Sequence, residues 1–92
     1  MRTFAFIQDP GHGWLRVPKA DFDAMNISDK ISGYSYQSDK YVFLEEDTDM
    51  GIFMDARDKA GIVTKTKPYQ NKSRESKIRK YPSYKPAVLT VG

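Results

Sequence analysis

The sequence predicts an α+β fold: a single small domain with a sheet of about five strands, antiparallel or mixed, and two helices. The expected order is β-β-α-β-β-α-β, followed by a basic C-terminal arm. Three observations carry this expectation. Short runs of strand formers at residues 3–8, 14–17, 40–45 and 62–67 alternate with two stretches whose apolar residues suit helices. Gly, Pro and Asn stand where those elements would end. The 92 residues leave room for one core, and five Phe, six Tyr, one Trp and four Met provide large side chains to fill it.

Residues 3–8, with Phe4, Phe6 and Ile7, read as an inner strand. Asp9-Pro10-Gly11-His12 fits a type II turn, in which Pro10 presets φ and Gly11 supplies the positive φ. Residues 14–17 then return as a second strand. Pro18 suits the first turn of a short helix on which Val17, Phe22 and Met25 share one side, and Asn26 closes it in a left-handed conformation.

Residues 31–37 and 40–45 are expected to form a hairpin around Ser38-Asp39. In its first arm Tyr34 and Tyr36 share a face with Ser32, and in its second Val42 and Leu44 face opposite to Tyr41 and Phe43. The acids that follow open a second helix over about residues 47–60, capped by Asp47 or Thr48 and aligned with the positive end of the helix dipole. Met50, Phe53, Met54 and Arg57 form its inner stripe, Ile52, Ala56 and Ala60 widen it, and Gly61 stops it. Residues 62–67 alternate as a fifth strand, and from Pro68 the pattern fades. The chain thus divides into an α+β core, residues 1–69, and a basic arm with Tyr and Pro, residues 70–92, packed on or extending from it. Within that arm, residues 87–91 either add a short edge strand or fray.

Charge is the clearest pointer to partners. Residues 65–85 carry eight Lys/Arg against the single acid Glu75, with Tyr69, Tyr81 and Tyr84 among them. Residues 45–64 hold six acids and two bases, and residues 1–44 balance, so the net +3 is divided between regions of opposite sign. The absence of cysteine excludes disulfide scaffolds, thiolate zinc sites and cysteine nucleophiles. No apolar run reaches the length of a membrane span, and Met1-Arg2-Thr3-Phe4 leads at once into a strand with no signal-peptide pattern. The expectation is a soluble, cytoplasmic protein that needs no membrane and no cofactor.

The candidate partner-binding residues are Lys65, Lys67, Lys72, Arg74, Lys77, Arg79, Lys80, Tyr81 and Tyr84. Their cations neutralise phosphates and their rings offer stacking surfaces to unpaired bases. The same composition suits another acidic partner, or a solvated arm whose tyrosines pack on the sheet. Secondary candidates are His12, between two glycines and beside Trp14, and the sheet tyrosines Tyr34 and Tyr36, which with Tyr41 could line one sheet face with rings. His12 reads equally as an exposed turn residue, and paired tyrosines stabilise almost any sheet. Glu45, Glu46, Asp47 and Asp49 form the densest acidic group. Their spacing matches no EF-hand, and a helix start accounts for them, so no metal site is expected.

Several pieces taken together carry a resemblance. They are His12-Gly13-Trp14-Leu15 with Val17-Pro18, Ile31-Ser32 with Tyr34-Ser35-Tyr36, Leu44-Glu45-Glu46-Asp47 with Asp49, and Ser76 with Ile78-Arg79 and Tyr81. This pattern, spread over most of the chain, resembles a family of small uncharacterised proteins of bacteriophages and other mobile elements. The resemblance implies a setting and no site: a non-enzymatic accessory protein, in the cytoplasm of a bacterial host, that binds and inhibits a host nucleic-acid-handling or defence complex. Two alternatives stand beside it, a direct nucleic-acid binder using the basic tail and a small enzyme using His12 or the acids of residues 45–49.

Overall fold

The computed structural model describes residues 2–70 and 77–84 of the chain. Strand β1 (Arg2–Gln8) turns into β2 (Gly13–Pro18), and Pro18 passes the chain directly into helix α1 (Lys19–Ala24). Strands β3 (Tyr36–Gln37) and β4 (Tyr41–Glu45), helix α2 (Asp49–Lys59) and strand β5 (Thr64–Gln70) complete the predicted order. The five strands lie as β3-β4-β2-β1-β5. All pairings are antiparallel except β1 with β5, which is parallel. The sheet is mixed because α2 carries the chain from β4 across β2 and β1 to the far edge.

The sheet has two faces of different character. Phe4, Leu15, Val17, Val42 and Leu44 point to one side and pack with Phe22 of α1 and Phe53 of α2. The Phe4 and Phe53 rings meet edge to face at 5.5 Å. Trp14 and Phe43 point to the other side, where Ile78 and Tyr81 of the C-terminal segment pack on them. That segment includes a 3-10 turn at Lys77–Lys80.

Local signals explain the element ends. Asn26 adopts φ 54°, one residue beyond the end cap of α1. Gly61, at φ 75°, ends α2 with its own N–H donating to the Asp58 carbonyl and the Ile62 N–H to the Arg57 carbonyl. This paired closure of the last turn requires a left-handed residue after the cap. Gly13 serves a different need: a Cβ there would lie 2.5 Å from Phe6 Cζ.

Four expectations need correction. The turn after β1 is organised by Asp9, whose carboxylate accepts from the Gly11 and His12 N–H groups at 2.9 Å each. This is an Asx turn, and the positive φ expected at Gly11 is taken among the described residues only by Asn26 and Gly61. The first hairpin arm shrinks to two residues, because Ser32 and Ser35 turn their side chains to Asp49 instead of joining a ladder. Helix α2 starts at Asp49, two residues later than expected, and Thr48 caps it without a side-chain hydrogen bond. Strand β5 begins at Thr64 and continues through Pro68, which the edge position tolerates. Residues 87–91 lie outside the described residues.

Phe53 is fully buried. Phe53→Ala is expected to cost about 3–5 kcal/mol of unfolding free energy, read by urea denaturation. An unchanged midpoint would mean that α2 does not lean on the sheet through this ring.

Candidate nucleic-acid interface

Among the described residues the face opposite the helices is only partly covered, and register determines what it presents. Lys67, Ala5, Arg16 and Phe43 are partners across β5, β1, β2 and β4. Lys65 pairs with Thr3 in the row on one side, and Tyr69 with Ile7 and Trp14 in the row on the other. Alternation along a strand sends all of these side chains to one face. Lys65, Lys67, Tyr69 and Arg16 are exposed. The small Thr3 and Ala5 between them leave a trough across about two strand spacings, roughly 9–10 Å.

Beyond Arg16 the trough opens into a groove of about 480 Å³. Ile7, Arg16, Tyr41 and Phe43 line it from the sheet, Ile78 and Tyr81 wall it, and Ser38-Asp39-Lys40 close its end. Rings are held in place here. Tyr81 stacks on Phe43 at 5.2 Å with an interplanar angle of 27°, and the Arg16 guanidinium lies 5.0 Å from the Tyr41 ring centroid. Lys67 Nζ lies 5.7 Å from the Tyr69 centroid. Lys40 and Lys80 are exposed nearby, and Asp39 is the acid in the groove lining among the described residues. Cations thus alternate with aromatic surface along one sheet face, while α2, with exposed Asp55 and Asp58, lies over the opposite one.

The sequence-derived candidates divide. Lys65, Lys67 and Lys80 are exposed. Tyr81 is half-buried at the groove wall. Lys77 and Arg79 belong to the turn whose Ile78 packs on this face, so their backbone is carried there. Lys72 and Arg74 lie outside the described residues. Tyr84 is corrected: it is 7% exposed, packs edge to face on Phe22 at 5.4 Å, and its hydroxyl hydrogen-bonds Ser28. The ring belongs to the core under the helices, on the face opposite the groove. His12 is exposed beside buried Trp14, their ring centroids 6.0 Å apart. Tyr34 is exposed on its loop, and Tyr36 meets Trp14 edge to face. The acids of residues 45–49 diverge: Asp49 is buried under two serines, Glu45 accepts the Asp47 N–H, and Glu46 and Asp47 face solvent.

Arg16 and Lys40 belong to this face and were not singled out in sequence. The signal for Arg16 was present. A lone cation between Leu15 and Val17 of an inner strand marks a side of the sheet that helices do not cover.

The core and surface assignments make opposite predictions for Tyr84 and His12. Tyr84→Ala is expected to cost about 3–5 kcal/mol, as for other buried aromatics. His12→Ala should stay within about 0.5 kcal/mol of the parent. Equal effects of the two substitutions on the melting curve would refute the assignment.

No helix among the described residues is long and apolar enough to cross a membrane. No family model matches the chain, and no curated protein or solved structure matches it either.

Proposed function

We propose that this chain is a non-enzymatic binding protein whose open sheet face takes a single-stranded nucleic acid within a host nucleic-acid-handling complex. The observation that carries the reading is the row Lys67-Ala5-Arg16 with Lys65, Tyr69, Tyr41 and Tyr81 on the face that the helices leave open among the described residues. A sheet surface with rings in reach of cations supports stacking of unpaired bases while the backbone phosphates are neutralised. A duplex would call for an α-helix or a two-stranded ribbon projecting into a groove, and among the described residues this face offers neither. The resemblance to mobile-element proteins supports the setting: a small accessory protein that competes for, or blocks, the nucleic acid of a host machine.

Fluorescence anisotropy with a labelled single-stranded oligonucleotide tests the reading. With about four phosphates engaged, log K against log salt should have a slope near −2.8, a roughly 50-fold loss between 50 and 200 mM. Lys65→Ala, Lys67→Ala and Arg16→Ala together should flatten that slope by about 2 and leave the melting temperature within a few degrees, since these side chains are exposed. Binding indifferent to salt and to all three substitutions would refute the interface. A host protein retained on the tagged chain after nuclease treatment would favour protein recognition over nucleic-acid recognition.

A further inference from the structure

At the other end of the same face, next to the β1–β2 turn, lies a second cavity, of about 320 Å³. Its lining differs in sign and composition: His12, Trp14, Tyr34 and Tyr36 supply four rings, and Glu45 and Asp47 two carboxylates. Trp14 and Glu45 are cross-strand partners, so ring and carboxylate stand side by side. Glu45 is 8% exposed, yet only one of its oxygens accepts a hydrogen bond, from the Asp47 N–H at 2.6 Å. The second oxygen makes no hydrogen bond and Glu45 forms no ion pair among the described residues. That oxygen is not buried from solvent, so a ligand that covers it must donate to it.

Tyr34 gives the second reason to expect a ligand. It is 77% exposed, the most exposed of the large apolar side chains recorded among the described residues. Its backbone is nonetheless held. Its N–H donates to Ser32 Oγ at 3.2 Å, and Ser32 is itself bonded to the buried Asp49. An exposed ring on a pinned loop, over a cavity floored by a buried tryptophan, is arranged for contact.

We propose that this cavity is a binding site for the guanidinium group of an arginine side chain in a partner polypeptide. Four rings beside two carboxylates suit a cation that both stacks and donates. A quaternary ammonium stacks but donates nothing, which would leave Glu45 unpaired. A guanidinium is planar, lies flat on aromatic faces and offers five N–H donors in a fixed fork, matching both parts of the lining. The site has the opposite charge preference to the basic trough and does not depend on that trough binding nucleic acid. It would let one protein hold a polyanion and a basic polypeptide at two ends of one face.

Trp14 is the only tryptophan, so its fluorescence reports the cavity directly. Titration with N-acetyl-L-arginine amide should give a saturable change at about millimolar concentration. Glu45→Gln and Tyr34→Ala should each weaken it by about tenfold, on the scale of one charge-assisted hydrogen bond or cation–π contact. Tyr34 is exposed, so its variant should melt like the parent, which keeps the test valid if the Glu45 variant fails to fold. Choline should bind more weakly than the capped arginine, and free L-arginine also, because its own carboxylate would meet Glu45 and Asp47. Absence of a saturable change, full affinity in the Tyr34 variant, or tighter binding of choline or free arginine would each overturn the proposal.

Discussion

The Asp49 carboxylate, fully buried in the first turn of α2, accepts hydrogen bonds from Ser32 Oγ at 2.6 Å and from Ser35 Oγ at 2.5 Å. The Ser32 N–H points at both of its oxygens, 3.1 Å from each. Ser35 is also fully buried, and its hydroxyl works in both directions: it donates to Asp49 and accepts the Glu45 N–H at 2.9 Å. One charge thereby joins the start of α2, the loop before β3 and the end of β4. An ionised acceptor makes each bond stronger than a neutral pair would, and the serine donors compensate for its burial. Both features of the aromatic cavity follow, since Ser32 holds Tyr34 and Ser35 holds the Glu45 backbone.

The C-terminal segment depends on the same point. The Tyr84 N–H donates to the Ser35 carbonyl at 2.7 Å, and the Gln37 N–H to the Pro82 carbonyl at 3.0 Å. Ser83 bridges Tyr36, so the segment lies along the two-residue edge strand β3 and covers it. It also passes round that edge. Ile78 and Tyr81 pack on the open face, whereas Tyr84 enters the helical core. A stretch of strongly basic composition therefore closes the sheet and builds the groove wall with its apolar residues, while its described cation Lys80 stays at the surface. At the opposite edge, β5 is guarded differently, by Lys65, Lys67 and Pro68.

Much of the fold was legible because its determinants are local. Asn26 and Gly61 ended their helices as read, and the alternation Tyr41-Val42-Phe43-Leu44 sorted correctly into two faces. Phe53 and Arg57 lie on the buried side of α2 as the spacing required. Arg57 is held there by Thr64 and by the Phe4 and Phe53 rings, a role that spacing alone did not indicate. What failed to show in sequence is long-range. Asp49 reads as a helix-start acid, and nothing nearby indicates serines 14 and 17 residues earlier as its partners. Residues 31–35 have the composition of a strand, yet their hydroxyls find a better acceptor than a ladder offers. Tyr84 sits among Lys and Pro like a tail residue, and only the edge pairing of Ser83 turns it inward. The basic trough was half visible: Lys65 and Lys67 were evident, but Arg16 joins them only once register is known.

A double-mutant cycle on Asp49 and Ser35 tests the central claim most directly. Asp49→Ala, Ser35→Ala and the double variant are compared by urea unfolding. If one carboxylate organises the three segments, each single change leaves buried donors or acceptors unpaired at about 1–3 kcal/mol apiece. The double variant should then lose less than the sum, with a coupling of about 1–3 kcal/mol. Additive losses, agreeing to within about 0.5 kcal/mol, would show that the two residues stabilise the fold independently and would contradict the account.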